Sequence, residues 1–244
     1  MKLLTLEQFR SKKKSDTIVV YGSGSSISEL TVKDKKILGQ FDSISFNWFC
    51  KSQIPTTFYL LREQSNMSKR RAKGEKFSNF LRDMDKKAYK KTTLIVHDLS
   101  HHSPNVDHYH TEDVLSKFSH NGIVVKDLKF RGNKLHINDW AKIDIFNDGV
   151  VHGSCTLTNV LHIVSFLGYS SIVFSGIDLY DSRYFWLDKK NTRYSVINKN
   201  KKNSSPHSIA EVTLELIRKF KKQFDIDMRT YNKKSLLSKV IKTF

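Results

Sequence analysis

Short apolar runs, each closed by glycine or by polar residues, punctuate a chain that is otherwise strongly charged. "TIVVYG" is β-branched and ends at Gly22, the pattern of a strand buried on both faces. "GSGSS" then turns the chain into what reads as the start of a helix. "FDSISFNWF" (41–49) reads as a second strand and "TTFYLL" (56–61) as a third. Residues 66–91 are charged and helix-compatible, and "TTLIVHDL" (92–99) is strand-like again. Between 100 and 150 no period is sustained; "NGIVVKDL" is one of several brief apolar runs there.

The clearest unit is "TLTNVLHIVSFLGYSSIVFSGIDLY" (156–180), which predicts an apolar helix closed by Gly168, then the strand "SSIVFSG", then a polar turn. Residues 181–206 are polar, basic and aperiodic, as expected of a lid insertion. In "HSIAEVTLELIRKF", Ser208 and Glu211 have the spacing of a capping box, and Ile209, Val212, Leu216 and Phe220 share one predicted face. The tail "KKSLLSKVIKTF" (233–244) reads as a short basic amphipathic helix. Strands alternating with helices predict one α/β domain over 1–244: a single Rossmann-like parallel sheet, with helices on both faces and the lid inserted.

Composition narrows the partners. The 244 residues carry 42 Lys+Arg against 24 Asp+Glu, a net charge of +18, which favours nucleic acid, acidic lipid, or acidic and phosphorylated sugars. Cys50 and Cys155 both lie in apolar surroundings, as reduced thiols do. No run reaches the roughly 18 apolar residues of a membrane span, and "MKLLTLEQF" is too short and polar for a signal peptide, so a cytoplasmic location is expected.

The candidate chemistry gathers at predicted strand ends. The turn formed by Gly22, Ser23, Gly24 and Ser25 can offer N–H groups to a phosphate, or can simply reverse the chain. It is neither a P-loop nor a G-x-G-x-x-G fingerprint, since Ile27 occupies the third glycine position. Asn47 ends the second strand, where it can bind a ribose or base edge or close a turn. Tyr180 and Tyr184 flank the turn after "SIVFSG", as phenols for a departing phosphate or as packing groups. His207 precedes the capped helix, where a neutral, base-competent imidazole is favoured; a surface histidine is the other reading.

The remaining clusters read less sharply. "HDLSHHSPNVDHYH" (97–110) holds His97, His101, His102, His108 and His110 with Asp98 and Asp107, but without zinc-type spacing, so a solvated rim is favoured over a metal site. "DMD" (83–85) and "DID" (225–227) follow no nucleotide-binding strand and read as structural.

Together "VVYGSGSSISEL", "FDSISFNWF", "FLGYSSIVFSGIDLYDSRYFW" and "HSIAEVTLELIRKF…MRTYNKKSLLSKVI" resemble the bacterial sialyltransferases of glycosyltransferase family 42, in order and over most of the chain, with a poor match from about 62 to 150. The resemblance implies a CMP-sugar donor, inversion at the anomeric carbon, and no metal or other cofactor. It implies His207 as general base and Tyr180 and Tyr184 as the pair on the leaving phosphate. It further implies nucleotide binding by Gly22, Ser23, Gly24, Ser25, Asn47, Ser175, Gly176 and Asp178; Arg183, and Arg62 where a family asparagine is missing, are possible donor or acceptor contacts.

The chain departs from the family at Ser23, which replaces an asparagine, and in "FYLLRE", where another asparagine is missing. The donor sugar is therefore open among N-acetylneuraminic acid, Kdo and related nonulosonic acids. The implied partners are that donor and a glycolipid or oligosaccharide acceptor such as lipooligosaccharide or capsule. An anionic inner-membrane face and a possible homo-oligomer complete the expectation. A nucleic-acid-binding α/β protein is the alternative from another class; no RRM motif, zinc finger or recognition-helix module supports it. Phosphate or pyrophosphate transfer is the other, and it lacks a P-loop.

Overall fold

The computed structural model describes residues 1–62, 77–98, 115–128, 137–153, 155–180, 184–186 and 210–244. Among the described residues ten strands form one parallel sheet: β1 (Lys2–Leu3), β2 (Thr17–Tyr21), β3 (Asp42–Phe46), β4 (Phe58–Leu61), β5 (Thr93–Asp98), β6 (Asn121–Leu128), β7 (Val150–Val151), β8 (Ser171–Ser175), β9 (Asp227–Thr230) and β10 (Lys242–Thr243). Their order is β1-β6-β5-β4-β3-β2-β8-β9-β10, with β7 continuing the β1 edge beside β6. The chain steps from β2 outward to β6, then returns to β8 on the other side of β2. That reversal creates a topological switch point between β2 and β8, where open α/β sheets receive ligands at the strands' carboxyl ends. The predicted α/β architecture holds.

β2 is central because its alternation feeds two cores. Ile18 and Val20 enter one hydrophobic cluster, with the helices Thr156–Phe166 and Ala210–Phe224. Val19 and Tyr21 enter the other, beside Phe80 and Met84 of the helix Phe77–Met84. The helix Thr156–Phe166 is buried over most of its length, Asn159 and His162 included, and Val160, Leu161, Ile163 and Val164 are fully buried. Each such side chain stabilises the fold by about 1.5–3 kcal/mol. Gly168 follows the C-cap Leu167 at φ +69, the left-handed conformation that a helix-closing glycine supplies at no Cβ cost.

Several expected elements take another form. "NGIVVKDL" is an eight-residue strand, β6, paired with β1, β5 and β7. After the glycine turn comes a 3-10 segment, Ser25–Glu29, and the first α-helix past it is Val32–Leu38, capped reciprocally by Thr31 and Asp34. The helix Ala210–Phe224 buries Thr213, Leu214, Ile217 and Phe220 and leaves Val212 39% exposed, so its inward face is rotated from the expected one. Ser208 and Ile209 lie outside the described residues. The tail is no amphipathic helix: Ser235 caps a short 3-10 turn, Leu236–Lys239, and β10 joins the sheet edge beside β9. Leu237 and Ile241 are buried there in the hydrophobic cluster that also holds Ile217 and Met228, and the pairing of Lys242–Thr243 with β9 holds the segment against the sheet edge.

"DMD" and "DID" are structural. Asp83 is buried with Lys86 at 2.8 Å and Lys51 at 3.4 Å, and Asp227 accepts from Arg229 Nε at 2.8 Å. Cys50 is buried and Cys155 half-buried, and both are free thiols. Among the described residues no helix is long and apolar enough to cross a membrane.

Candidate functional site

At the switch point the loops after β2 and β8 lie backbone against backbone. Gly22 N–H donates to Ser175 O at 2.8 Å and Gly24 N–H to Gly176 O at 2.9 Å. A Cβ on Gly22 would stand 2.4 Å from Gly176 O, and one on Gly24 would stand 2.4 Å from Asp178 Oδ2. Gly176 itself adopts φ +72. These glycines therefore permit close approach of two loops. The amides of Gly22 and Gly24 are committed to that contact, so they do not form the phosphate cradle expected from the turn, and a five-residue 3-10 segment adds no long helix dipole behind it.

Asp178 ties the site together. Its carboxylate, in a residue only 3% exposed, accepts from Ser26 Oγ at 2.5 Å, Ser26 N–H at 3.0 Å and Asn232 Nδ2 at 3.1 Å. Loops after β2, β8 and β9 thus converge on one side chain, which makes Asp178 an organising group. Ser26 and Asn232 were not singled out from sequence; both are polar residues near strand ends, and only Asp178 reveals what they do. Asn232 Nδ2 also reaches Tyr180 OH at 3.4 Å, so one carboxamide joins the clamp to a candidate phenol. Between them Leu179 sits at φ +62, a conformation that costs a non-glycine residue on the order of 1–3 kcal/mol and that clusters at ligand sites.

The glycine loop has a cover. Tyr184 forms a β-bridge with Gly24, and Phe185 N–H donates to Ser23 O at 3.3 Å. The Tyr184 ring stacks on Trp186 with centroids 4.6 Å apart, and Phe185 meets Phe49 edge-on at 6.2 Å. Ser23 is buried beneath, with its Oγ 3.4 Å from Phe46 O. Tyr180 and Tyr184 thus both stand at the loops that follow β2 and β8. Ser175 ends β8 beneath them and is buried.

Asn47 closes β3 at φ 57, a left-handed conformation that asparagine tolerates better than most residues. The buried Tyr59 hydroxyl donates to its carbonyl at 2.5 Å. Its side-chain Oδ1 is buried without a protein hydrogen-bond partner. Turn closure and an unpaired buried acceptor coexist in this residue.

Farther along the same edge stands a second polar group. His97 Nδ1 lies 2.8 Å from Asp127 Oδ1, and Arg62 Nη2 lies 3.5 Å from Asp127 Oδ2 and 2.9 Å from His152 Nε2. Burial alone would raise the Asp127 carboxyl, but the hydrogen bond and charge of His97, with Arg62 and His152, outweigh it and hold it at about 2. Burial and the Arg62 cation push His152 below the ordinary histidine range. Of the expected His-rich cluster, His97 is thus a buried partner of Asp127. His101, His102, Asp107, His108 and His110 lie outside the described residues, as do His207 and Arg183. Among the described residues no three His, Cys, Asp or Glu side chains form a metal-sized group.

The fold has known counterparts. A variant of the sialyltransferase CST-II in complex with CMP matches at TM-score 0.50 and 16% identity, over 93% of this chain and 86% of that one. The MAf glycosyltransferase of Magnetospirillum magneticum AMB-1 matches at TM-score 0.51 and 16% identity, over 90% of this chain and 32% of that one. The α-2,3-sialyltransferase Cst-I of Campylobacter jejuni is similar at TM-score 0.48 and 15% identity, over 95% and 82%. No protein-family model matches the chain, and no curated protein does. At these identities the likeness is one of fold.

Proposed function

We propose that this protein is an inverting, metal-independent glycosyltransferase that moves an acidic keto-sugar from a CMP-sugar to a hydroxyl of a cell-surface glycan. The observation that carries this reading is the convergence of the glycine loop, the unpartnered Asn47 Oδ1, Tyr180 and Tyr184 at the switch point of a parallel sheet. The fold is shared with a CMP-bound sialyltransferase and with a second glycosyltransferase, and the sequence resemblance names the same chemistry.

The acceptor hydroxyl attacks the anomeric carbon as the bond to the CMP phosphate breaks, and the bonding pair leaves with CMP. His207, three residues before the described start of the helix Ala210–Phe224, takes the acceptor's proton. A base placed there contributes about 10²–10⁴-fold. Charge growing on the leaving phosphate is met by the Tyr180 and Tyr184 hydroxyls. Ser23, Ser25 and Ser175 border the nucleotide, Gly22, Gly24, Gly176 and Asp178 shape its loops, and Arg183 approaches the sugar or the acceptor. No cofactor is needed. The glycan is lipooligosaccharide or capsule, reached from a cytoplasmic position against anionic lipid that the +18 net charge favours, and the protein acts as a homo-oligomer.

A melting series with CMP, UMP, GMP and AMP, each with and without EDTA, tests the donor. Stabilisation by CMP alone, indifferent to EDTA, is expected; no shift at saturating CMP would sink the assignment. The net charge of +18 also suits a nucleic-acid binder. His207→Ala separates the two, since it should abolish sugar transfer and leave RNA or DNA affinity unchanged.

A further inference from the structure

Strand alternation places Arg62, His97 and Asp127 on one face at the carboxyl ends of β4, β5 and β6. Leu60, Ile95 and Val125, each two positions earlier, all enter the same hydrophobic cluster. His152 follows β7 on that side. Arginine has no acceptor, so at 2.9 Å its Nη2 donates and His152 Nε2 accepts. The ring proton is thereby assigned to Nδ1, which faces Asn159 Oδ1 at 3.4 Å. Asn159 is oriented in turn by its Nδ2, which donates to Val151 O at 2.8 Å. The guanidinium is fixed from two sides, by a carboxylate and by a neutral imidazole, while its side chain keeps 21% exposure.

That arrangement differs from a buried structural ion pair. Asp127 already has His97 at 2.8 Å, and the longer 3.5 Å contact to Arg62 adds orientation to an arginine still open to solvent. A guanidinium carries five N–H donors in a planar fork that matches a carboxylate. β4 lies two strands from β2, which at a strand spacing of about 4.8 Å puts Arg62 on the order of 10 Å along the edge from the glycine loop. A nucleotide-sugar phosphate at the switch point would leave its sugar pointing into that interval. The one other anion on an acidic keto-sugar is the carboxylate beside its anomeric carbon.

We propose that Arg62 is the specificity-determining residue that receives the donor sugar's carboxylate, with Asp127, His97 and His152 as positioning residues behind it. This inference rests on the CMP-sugar reading above. It makes the protein selective for acidic sugars over neutral ones through a group that does not touch the nucleotide.

Calorimetric titration with CMP, CMP-N-acetylneuraminic acid and CMP-Kdo tests it on the full chain and on Arg62→Ala, Arg62→Lys and His152→Gln. An exposed-site control, Lys36→Ala, accounts for the change in net charge. Arg62→Ala should bind CMP within about 2-fold of the parent yet lose about 10–100-fold for whichever CMP-sugar the parent prefers, the range expected for a hydrogen bond to a charged group. Arg62→Lys keeps charge without the fork and should recover part of that loss; it also serves if the alanine variant fails to fold. His152→Gln should weaken the CMP-sugar and leave CMP untouched, a split that loss of packing alone would not give. Equal losses for CMP and CMP-sugar, or no loss for either, would overturn the assignment of Arg62. A parent protein that binds CMP but neither sugar nucleotide more tightly would overturn it too. A parent that fails to bind CMP would overturn the CMP-sugar reading and this inference together.

Discussion

The hydroxyl of Tyr59 sits between two turns of backbone, donating to Asn47 O at 2.5 Å and accepting from Cys50 N–H at 3.1 Å. A fully buried phenol on β4 thus fixes the left-handed residue that ends β3, and with it the direction of the Asn47 carboxamide. Burial holds this phenol protonated, with its pKa well above the usual tyrosine value. Tyr59→Phe should cost about 1–3 kcal/mol, since it leaves a buried N–H and C=O without their partner. The same variant should weaken CMP binding. Urea unfolding and CMP titration check the pair; a stability loss with intact CMP affinity would take Asn47 out of the nucleotide site.

The glycine loop is a packing device, and it predicts a steep response to one methyl group. Gly22→Ala drives a Cβ to 2.4 Å from Gly176 O, a backbone atom that cannot swing away. The loops after β2 and β8 must separate, at about 1–3 kcal/mol as in other overpacked sites. Thermal unfolding should show the loss, and CMP should no longer raise the melting temperature.

Asp178→Ala removes the acceptor of Ser26 N–H, Ser26 Oγ and Asn232 Nδ2 together. A loss of about 2–4 kcal/mol is expected, because charged hydrogen bonds are broken and a buried N–H is orphaned. Asp178→Asn, isosteric but uncharged, should lose less. An alanine variant with unchanged urea midpoint would show that the three loops hold without it.

Tyr180→Phe and Tyr184→Phe test the leaving-group role. Each should lower the rate of transfer about 10–100-fold and weaken free CMP, which carries the leaving group's full charge, while affinity for the intact CMP-sugar stays nearly unchanged. Weaker binding of the intact CMP-sugar with the rate unchanged would make them ground-state contacts instead.

His162 gives a pH signature. It is fully buried, accepts from Val151 N–H at Nδ1 across 3.1 Å, and burial lowers its pKa from 6.5 to about 4. The neutral form is favoured in the folded state, so the unfolded chain takes up its proton first as pH falls. Stability from this group is complete above 6.5 and is lost progressively down to about 4. The loss should amount to about 3 kcal/mol, and His162→Gln should flatten that part of the curve. Asp127 acts in a lower window: its folded value is about 2 against the ordinary 3.8, so its contribution is present above 3.8 and vanishes as pH falls through 2. Urea midpoints at a series of pH values separate the two windows.

Local pattern was enough for β2, β3, β4, β5 and β8 and for the helix ended by Gly168. Short apolar, β-branched-rich runs suit a parallel sheet with both faces covered, and Gly168 at positive φ directly after an apolar helical stretch closes that helix. The candidate residues Gly22, Asn47, Tyr180 and Tyr184 were legible for a related reason: a polar or glycine residue just beyond an apolar strand falls at a sheet's carboxyl edge. Strand order was not legible. The step from β2 to β8 joins residues 154 apart in the chain, and that pairing creates the switch point. The same holds for the tail, whose "SLLSKVIKT" suits a helix in isolation but forms a 3-10 turn and then a two-residue edge strand, Lys242–Thr243, on the ladder that β9 offers. Asp178 with Ser26 and Asn232, and Arg62 with Asp127 and His152, are single polar residues with no period to announce them. Burial in a shared low-dielectric space turns them into partners, and that space exists only after the sheet has assembled.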